Sequence, residues 1–350
     1  MSVNGSPVFL HSMWGTGSTY LASRFAEEAR YCVFYEPFHE YVGSEKARLK
    51  VREEYARARA LLRHPEVAGG LLDIYDRSEP LTKEPLWRAY DPRSAIRDVY
   101  GRMSAKSQEY LRACLRVAEQ DRRIAVFGFC RSGTQFTEMC RLFAGRHLYL
   151  YRNPIEQFRS YDWPANDYFV PTTYLQLACS RRWRRVLKLV CDDHSALSVS
   201  ACSLSCNIVD ATWSQRMARM LMRNLSAQDA FAISYLSWRV CLAAASEQGL
   251  ELFSLNDLIA QGQLRNRLGG EFAIRFEGLR STAVPDFEAD AQCYAERAAR
   301  VADAVDRELM SSQYERPLGR NAAATLVRTV GDWPHRTVEN HPRQTDCILR

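Results

Sequence analysis

The sequence predicts an α/β protein, a three-layer α/β/α arrangement with a central parallel sheet. Three observations carry that expectation. Short apolar runs recur at residues 8–10, 31–35, 123–129, 147–151 and 250–254, and each reads as a buried strand. Longer stretches of helical character separate them, and strands that alternate with helices call for crossover connections and parallel pairing. Several of the runs end in a polar or glycine-bearing loop that leads straight into a helix, and ligands bind at that edge of open α/β sheets.

The first run (Val8, Phe9, Leu10) is followed by Gly15, Thr16, Gly17, Ser18 and Thr19, then by a helix expected over about 19–29 that opens Thr19-Tyr20. Strand, glycine loop and helix start together form an anion site: the backbone can approach closely, and the first-turn N–H groups and the helix dipole favour negative charge. Ser18 and Thr19 add hydroxyl donors. No lysine precedes Ser18, so the GxxxxGK[ST] signature of an ordinary ATP or GTP hydrolase is absent. A plain strand-turn-helix connection has the same local appearance.

The second strand, Tyr31 to Tyr35, is stopped by Pro37 in Glu36-Pro37-Phe38-His39-Glu40. Residues 44–63 have a solvent-facing helical pattern, 65–95 carry six prolines and glycines that mark a looped insertion, and a helix is expected over about 92–120. The third strand runs into Cys130-Arg131-Ser132-Gly133-Thr134. The fourth runs into Arg152-Asn153-Pro154, with proline in place to start a helix. Aromatic-rich helical material then extends to about residue 190 and includes Trp163, Tyr168, Phe169, Tyr174 and Trp183, which suit a core or a stacking surface. Arg181, Arg182, Arg184 and Arg185 suit a solvated helix face or the entrance for an anionic ligand. Residues 191–210 are small and polar and read as a loop or lid. A long helix is expected over about 211–247, the fifth strand follows, a helix opens near Asn256, and a last helix covers about 286–310 before an irregular tail. The expectation is one domain spanning 1–350, with helical insertions at about 40–120 and 165–250 and a C-terminal helix and tail over 286–350.

Composition narrows the classes of function. Of 350 residues, 47% are hydrophobic and 25% charged, as in ordinary globular proteins. A net charge of +6 suits an anionic small molecule but falls short of the dense basic stripe of a nucleic-acid-binding protein. The eleven cysteines show no ligand spacing, so no metal site is expected, and scattered unpaired thiols suit a reducing compartment. No signal-peptide pattern opens the chain, and no run is long enough to span a bilayer. The expectation is a cytoplasmic protein, with its oligomeric state unread.

At the exit of the fourth strand, Arg152 offers a planar fork to a phosphate, and Ser160, eight positions on, can share the same oxyanion. Taken alone, Arg-Asn-Pro is also an ordinary capping turn. The two signals in order, PVFLHSMWGTGSTYL and about 135 residues later HLYLYRNPIEQFRSY, resemble the sulfotransferases that use 3'-phosphoadenosine-5'-phosphosulfate (PAPS). The resemblance is to the bacterial and carbohydrate-type members, is anchored at both nucleotide sites, and covers about residues 7–260. It implies a P-loop NTPase-like sulfotransferase fold. It also implies that Gly15, Thr16, Gly17, Ser18, Thr19 and Tyr20 hold the 5'-phosphosulfate end and that Arg152 and Ser160 hold the 3'-phosphate. Asn153 stands where the family usually has Asp, and Leu252 to Leu258 (LFSLNDL) is similar to a later family segment.

One departure matters. The family's basic loop residue falls on Gly15, so charge on the leaving phosphate must be met elsewhere, and Arg131 is the candidate. Transfer to a hydroxyl needs a base. Glu36 matches the glutamate of the family's Glu-Pro segment, and burial among Phe34, Tyr35 and Phe38 would raise its basicity; His39 is the other candidate. The implied reaction passes a sulfuryl group from PAPS to a hydroxyl of a small-molecule, carbohydrate or glycolipid acceptor. It needs no metal and yields adenosine 3',5'-bisphosphate (PAP). A kinase-like nucleotide-binding phosphotransferase and a catalytically impaired sulfotransferase-like scaffold stay open as alternatives.

Overall fold

The computed structural model describes residues 5–43, 71–161, 164–165, 168–190, 225–277 and 287–313, together with 45, 48, 49, 219, 220 and 222. Five strands form its sheet: β1 (Val8–Ser12), β2 (Tyr31–Tyr35), β3 (Ile124–Phe129), β4 (Arg146–Tyr151) and β5 (Glu251–Ser254). Their order is β2-β3-β1-β4-β5, and every pairing is parallel. β1 lies at the centre, with Leu10 in register with Gly128 of β3 and Leu148 of β4. Strands covered on both faces need apolar residues throughout, and β1 and β2 are buried at every position.

Among the described residues, twelve α-helices follow the chain: α1 (Ser18–Ala26), α2 (Leu86–Ala89), α3 (Ser94–Arg97), α4 (Ala105–Gln120), α5 (Phe136–Leu142), α6 (Pro154–Arg159), α7 (Phe169–Cys179), α8 (Arg181–Val190), α9 (Ala227–Glu247), α10 (Leu255–Ala260), α11 (Gly262–Phe272) and α12 (Phe287–Gln313). Alternate strand residues serve opposite layers. Val8, Leu10, Val33, Val126 and Leu148 pack with Leu21 and Phe25 of α1 and Leu268 and Phe272 of α11. Phe9, Phe34, Phe127 and Phe129 pack with Tyr110, Leu111 and Cys114 of α4. Tyr149 joins a further core built by α7, α8, α9 and α12, with Leu177, Leu187, Leu236 and Val305 among its members.

Local chemistry sets the helix starts. Ser104 accepts a hydrogen bond from Ser107 N, Ser226 accepts one from Asp229 N, and Ser254 and Asp257 form a reciprocal capping box. These caps also explain where the elements differ from expectation. The helix expected over 92–120 is split, because Ser104 takes an extended conformation and starts α4 afresh after α3. The helical run toward residue 190 breaks at Ser180, also extended, between α7 and α8. The long helix expected from 211 begins at Ala227 behind its Ser226 cap; residues 219 and 220 are helical, and 211–218 lie outside the described residues. Most of the helix expected over 44–63, the polar segment 191–210 and the tail after Pro317 also lie outside them. Among the described residues, no helix is long and apolar enough to cross a membrane.

Candidate functional site

Because all five strands run the same way, the loops that follow them share one edge of the sheet. The loop after β1 reaches α1 through two glycines in the left-handed region, Gly15 (φ 73°) and Gly17 (φ 91°), which a side-chain-bearing residue would enter only with strain. Gly17 is the N-cap of α1 and brings no side-chain cap, so the positive end of the helix dipole faces this loop. The Thr16 hydroxyl donates to Met13 O (2.8 Å), Ser18 Oγ lies 2.9 Å from Cys130 Sγ, and Thr19 Oγ1 lies 2.7 Å from Tyr35 Oη. Burial pushes the Cys130 thiol up to about 11, so it faces Ser18 as a neutral group. The Tyr20 hydroxyl donates to Glu277 O (2.9 Å), which anchors α1 to the segment beyond α11.

The exit of β4 meets the same loop. Arg152 is buried; its Nη1 donates to Gly15 O (3.3 Å) and its Nε to Glu156 Oε2 (3.2 Å). Asn153 caps α6 by accepting from Ile155 N (2.9 Å) and Glu156 N (3.3 Å), with Pro154 in the first turn. The α9 side chain Trp238 donates from Nε1 to Arg152 O (2.9 Å) and holds the strand exit from behind. Ser160 closes α6, and its hydroxyl donates to Gln157 O (2.6 Å). A Cβ on Gly15 would run into Ser160 Oγ and come within 3.2 Å of the Tyr161 ring. Gly15, Arg152 and Ser160, distant in sequence, therefore meet at one point.

A second cluster occupies the ends of β2 and β3. Glu36 takes a positive φ of 47°, held by its N–H on Gly128 O (2.7 Å) and by His39 N on its carbonyl (2.9 Å). For a residue with a side chain, this left-handed conformation costs of order 1–3 kcal/mol and is found most often at functional sites. Its carboxylate accepts from Tyr35 Oη (3.1 Å) and is ion-paired with Arg131 Nη1. Arg131 is 3% exposed; its Nη2 donates to Tyr168 Oη (2.5 Å), its Nε lies 3.6 Å from Glu40 Oε2, and its guanidinium sits over the Trp14 ring at 5.1 Å. Tyr168 Oη in turn donates to Glu40 Oε1 (2.6 Å), and burial pushes the Tyr168 phenol well above its usual range. The Arg219 guanidinium lies over the Tyr168 ring at 5.4 Å, a second cation on the ring that Arg131 also faces.

His39 is wedged into this cluster and stacks on Tyr41 with centroids 4.4 Å apart. Burial lowers its pKa, with the Glu40 carboxylate acting in the opposite sense. Its Nδ1 lies 3.2 Å from Tyr41 N and 3.3 Å from Glu40 Oε2, and its Nε2 lies 3.9 Å from Glu36 Oε2, so the ring sits between the two carboxylates.

No family model, curated protein or solved structure matches this chain. The likeness to sulfotransferases rests on the motifs alone. The described structure brings Gly15 to Thr19, Arg152 and Ser160 into one group and Glu36, His39 and Arg131 into a neighbouring one, with Trp14 and Tyr35 at the join. Sequence reasoning gave no role to Glu40 and treated Tyr168 only as an aromatic surface. The four-residue step from Glu36 to Glu40 was the available signal for the first. The second needs the start of α7 brought to Glu40 and Arg131 before it can be seen.

Proposed function

We propose that this chain is a PAPS-dependent sulfotransferase acting on a hydroxyl acceptor of carbohydrate or glycolipid type. The observation that carries the reading is the meeting of Arg152 and Ser160 with the Gly15 loop. A nucleotide with phosphate groups at both its 3' and 5' positions calls for two anion-binding elements side by side. The chain offers an uncapped helix start and a buried arginine fork next to it.

When bound, PAPS supplies an activated sulfuryl group and leaves as PAP. The first-turn N–H groups of α1, with Ser18 and Thr19, hold the phosphosulfate end, and Arg152 with Ser160 holds the 3'-phosphate. Glu36 accepts the acceptor's hydroxyl proton on a carboxylate oxygen as the acceptor oxygen attacks sulfur. Arg131 and Tyr35 orient that carboxylate. Those two contacts hold Glu36 in place as a positioned base. His39, set between Glu36 and Glu40, is a positioning residue. Both amino groups of Arg131 are engaged, by Glu36 and Tyr168, so neutralisation of the leaving phosphate falls to the helix start.

Calorimetric titration of the full chain with PAP, and with ATP with and without magnesium, tests the binding half. Tight, metal-independent PAP binding that Arg152→Ala weakens at least tenfold is the expected result. A preference for magnesium-ATP overturns it in favour of a kinase-like phosphotransferase. A second reading, a nucleotide-binding scaffold, is favoured by the glycine at position 15 and by the engaged Arg131. Release of PAP from PAPS in the presence of hydroxyl acceptors, lost in Glu36→Gln with PAP affinity unchanged, separates an enzyme from that scaffold.

A further inference from the structure

On the sheet face opposite α1, away from the strand ends, His11 of β1 and His147 of β4 stand beside Cys140 of α5. One candidate ligand atom from each lies within 4.8 Å of the others. We propose that these three side chains bind a divalent transition-metal ion of borderline softness, Zn2+ in class, which ties α5 to the two central strands.

The two imidazole nitrogens stand at nearly the spacing of a ligated pair. His11 Nε2 lies 3.1 Å from His147 Nδ1, with one proton between them. Two nitrogens on a tetrahedral zinc, each about 2.0–2.1 Å from the ion, sit about 3.4 Å apart. An ion can therefore sit between them after a shift of a few tenths of an ångström, the His11 Nε2 proton passing to Nδ1 of the same ring so that the imidazole stays neutral. His147 Nε2 lies 3.0 Å from Phe143 O, and that contact fixes Nδ1 as the lone-pair nitrogen, as a metal-bound histidine requires. Cys140 supplies the soft third ligand and gives up its thiol proton to solvent on binding. Cys140 and His147 are only half-buried, which leaves an entry path and room for water as a fourth ligand.

The pair sits in an apolar wall: His11 is fully buried, its ring stacks with Phe129 at 5.3 Å and lies 5.4 Å from Phe136, and His147 stacks on Phe9 at 4.3 Å. Spacing could not reveal this group, since its two histidines are 136 positions apart.

The test is titration of the metal-stripped full chain with Co2+, followed optically. The expected result is a set of four-coordinate d–d bands plus a thiolate-to-cobalt charge-transfer band. Both saturate at one equivalent and are displaced by Zn2+. Cys140→Ser removes the charge-transfer band, and His147→Gln lowers the affinity at least tenfold, while circular dichroism shows each variant folded. Should His147→Gln fail to fold, Cys140→Ser, a near-isosteric change at a half-buried position, decides alone. Absence of the bands, or bands unchanged in Cys140→Ser, overturns the proposal; the second outcome places the ion at other cysteines.

Discussion

A side chain at position 15 meets two obstacles at once: a backbone φ of 73° and Ser160 Oγ in the space its Cβ would take. Gly15→Ala should therefore cost about 1–3 kcal/mol of stability, read from urea unfolding midpoints. Combining it with Ser160→Gly should recover the steric part and leave the backbone part; full recovery would show that φ carries no strain there. The same geometry means that a basic residue cannot be restored at 15 without displacing Ser160, so Gly15→Arg is a poor probe of whether the chain is an impaired catalyst. Arg131 has the opposite problem, since it is needed where it is. Removing it leaves Glu36 and Glu40 buried around a gap, so Arg131→Met should cost about 3–5 kcal/mol. The double variant with Glu36→Gln should be less destabilised than the single. A single variant as stable as wild type would mean that the pair contributes nothing.

Helix α6 is six residues long and depends on its cap to hold the turn that carries Arg152. Asn153→Ala should cost about 1 kcal/mol, and Asn153→Asp, which keeps the acceptor and places a negative charge at a helix start, should restore it. Thermal melts of the three proteins check this, and an alanine variant that melts with wild type rules the cap out. At this scale the sequence was informative where one physical cause acts alone. The strands were legible because β1 opens on the apolar run Val8-Phe9-Leu10 and β2 and the core of β3 are apolar at nearly every position, and the turn at Asn153-Pro154 because its signal is local. The break before α4 was missed because a serine cap is also a tolerable helix residue until Ser107 N is seen bonded to it. The loops after β1, β2 and β4 were correctly named as one edge, since parallel pairing makes them so. The pairing of Arg131 with Glu36 was not legible, because it requires β2 and β3 to be neighbours, and strand order is not written in any local pattern. For the same reason the His11–His147 contact escaped a search based on spacing.

Across the whole molecule, the cluster around Arg131 joins the ends of β2 and β3 to α7, so its charge state bears on global stability. His39 lies within it, facing Glu36 and Glu40 as carboxylates, Tyr41 and Tyr168 as rings, and the Arg131 guanidinium beyond them. Burial lowers its pKa in the folded chain below the ordinary value of 6.5. Between that lowered value and 6.5 the unfolded chain binds a proton that the folded chain does not, so stability falls as pH falls through this window. The contribution is fully present above about 6.5 and is lost on acidification. Unfolding midpoints of wild type and His39→Gln, measured at pH 7.5 and 5.5, isolate it, because the carboxylates, Tyr168 and Arg131 are common to both. Wild type should lose more stability between the two pH values than the glutamine variant does. Equal losses would mean that the ring binds its proton as readily in the fold as out of it. The Glu40 carboxylate would then offset burial, and His39 would take up its proton in the cluster at the same pH as in the unfolded chain.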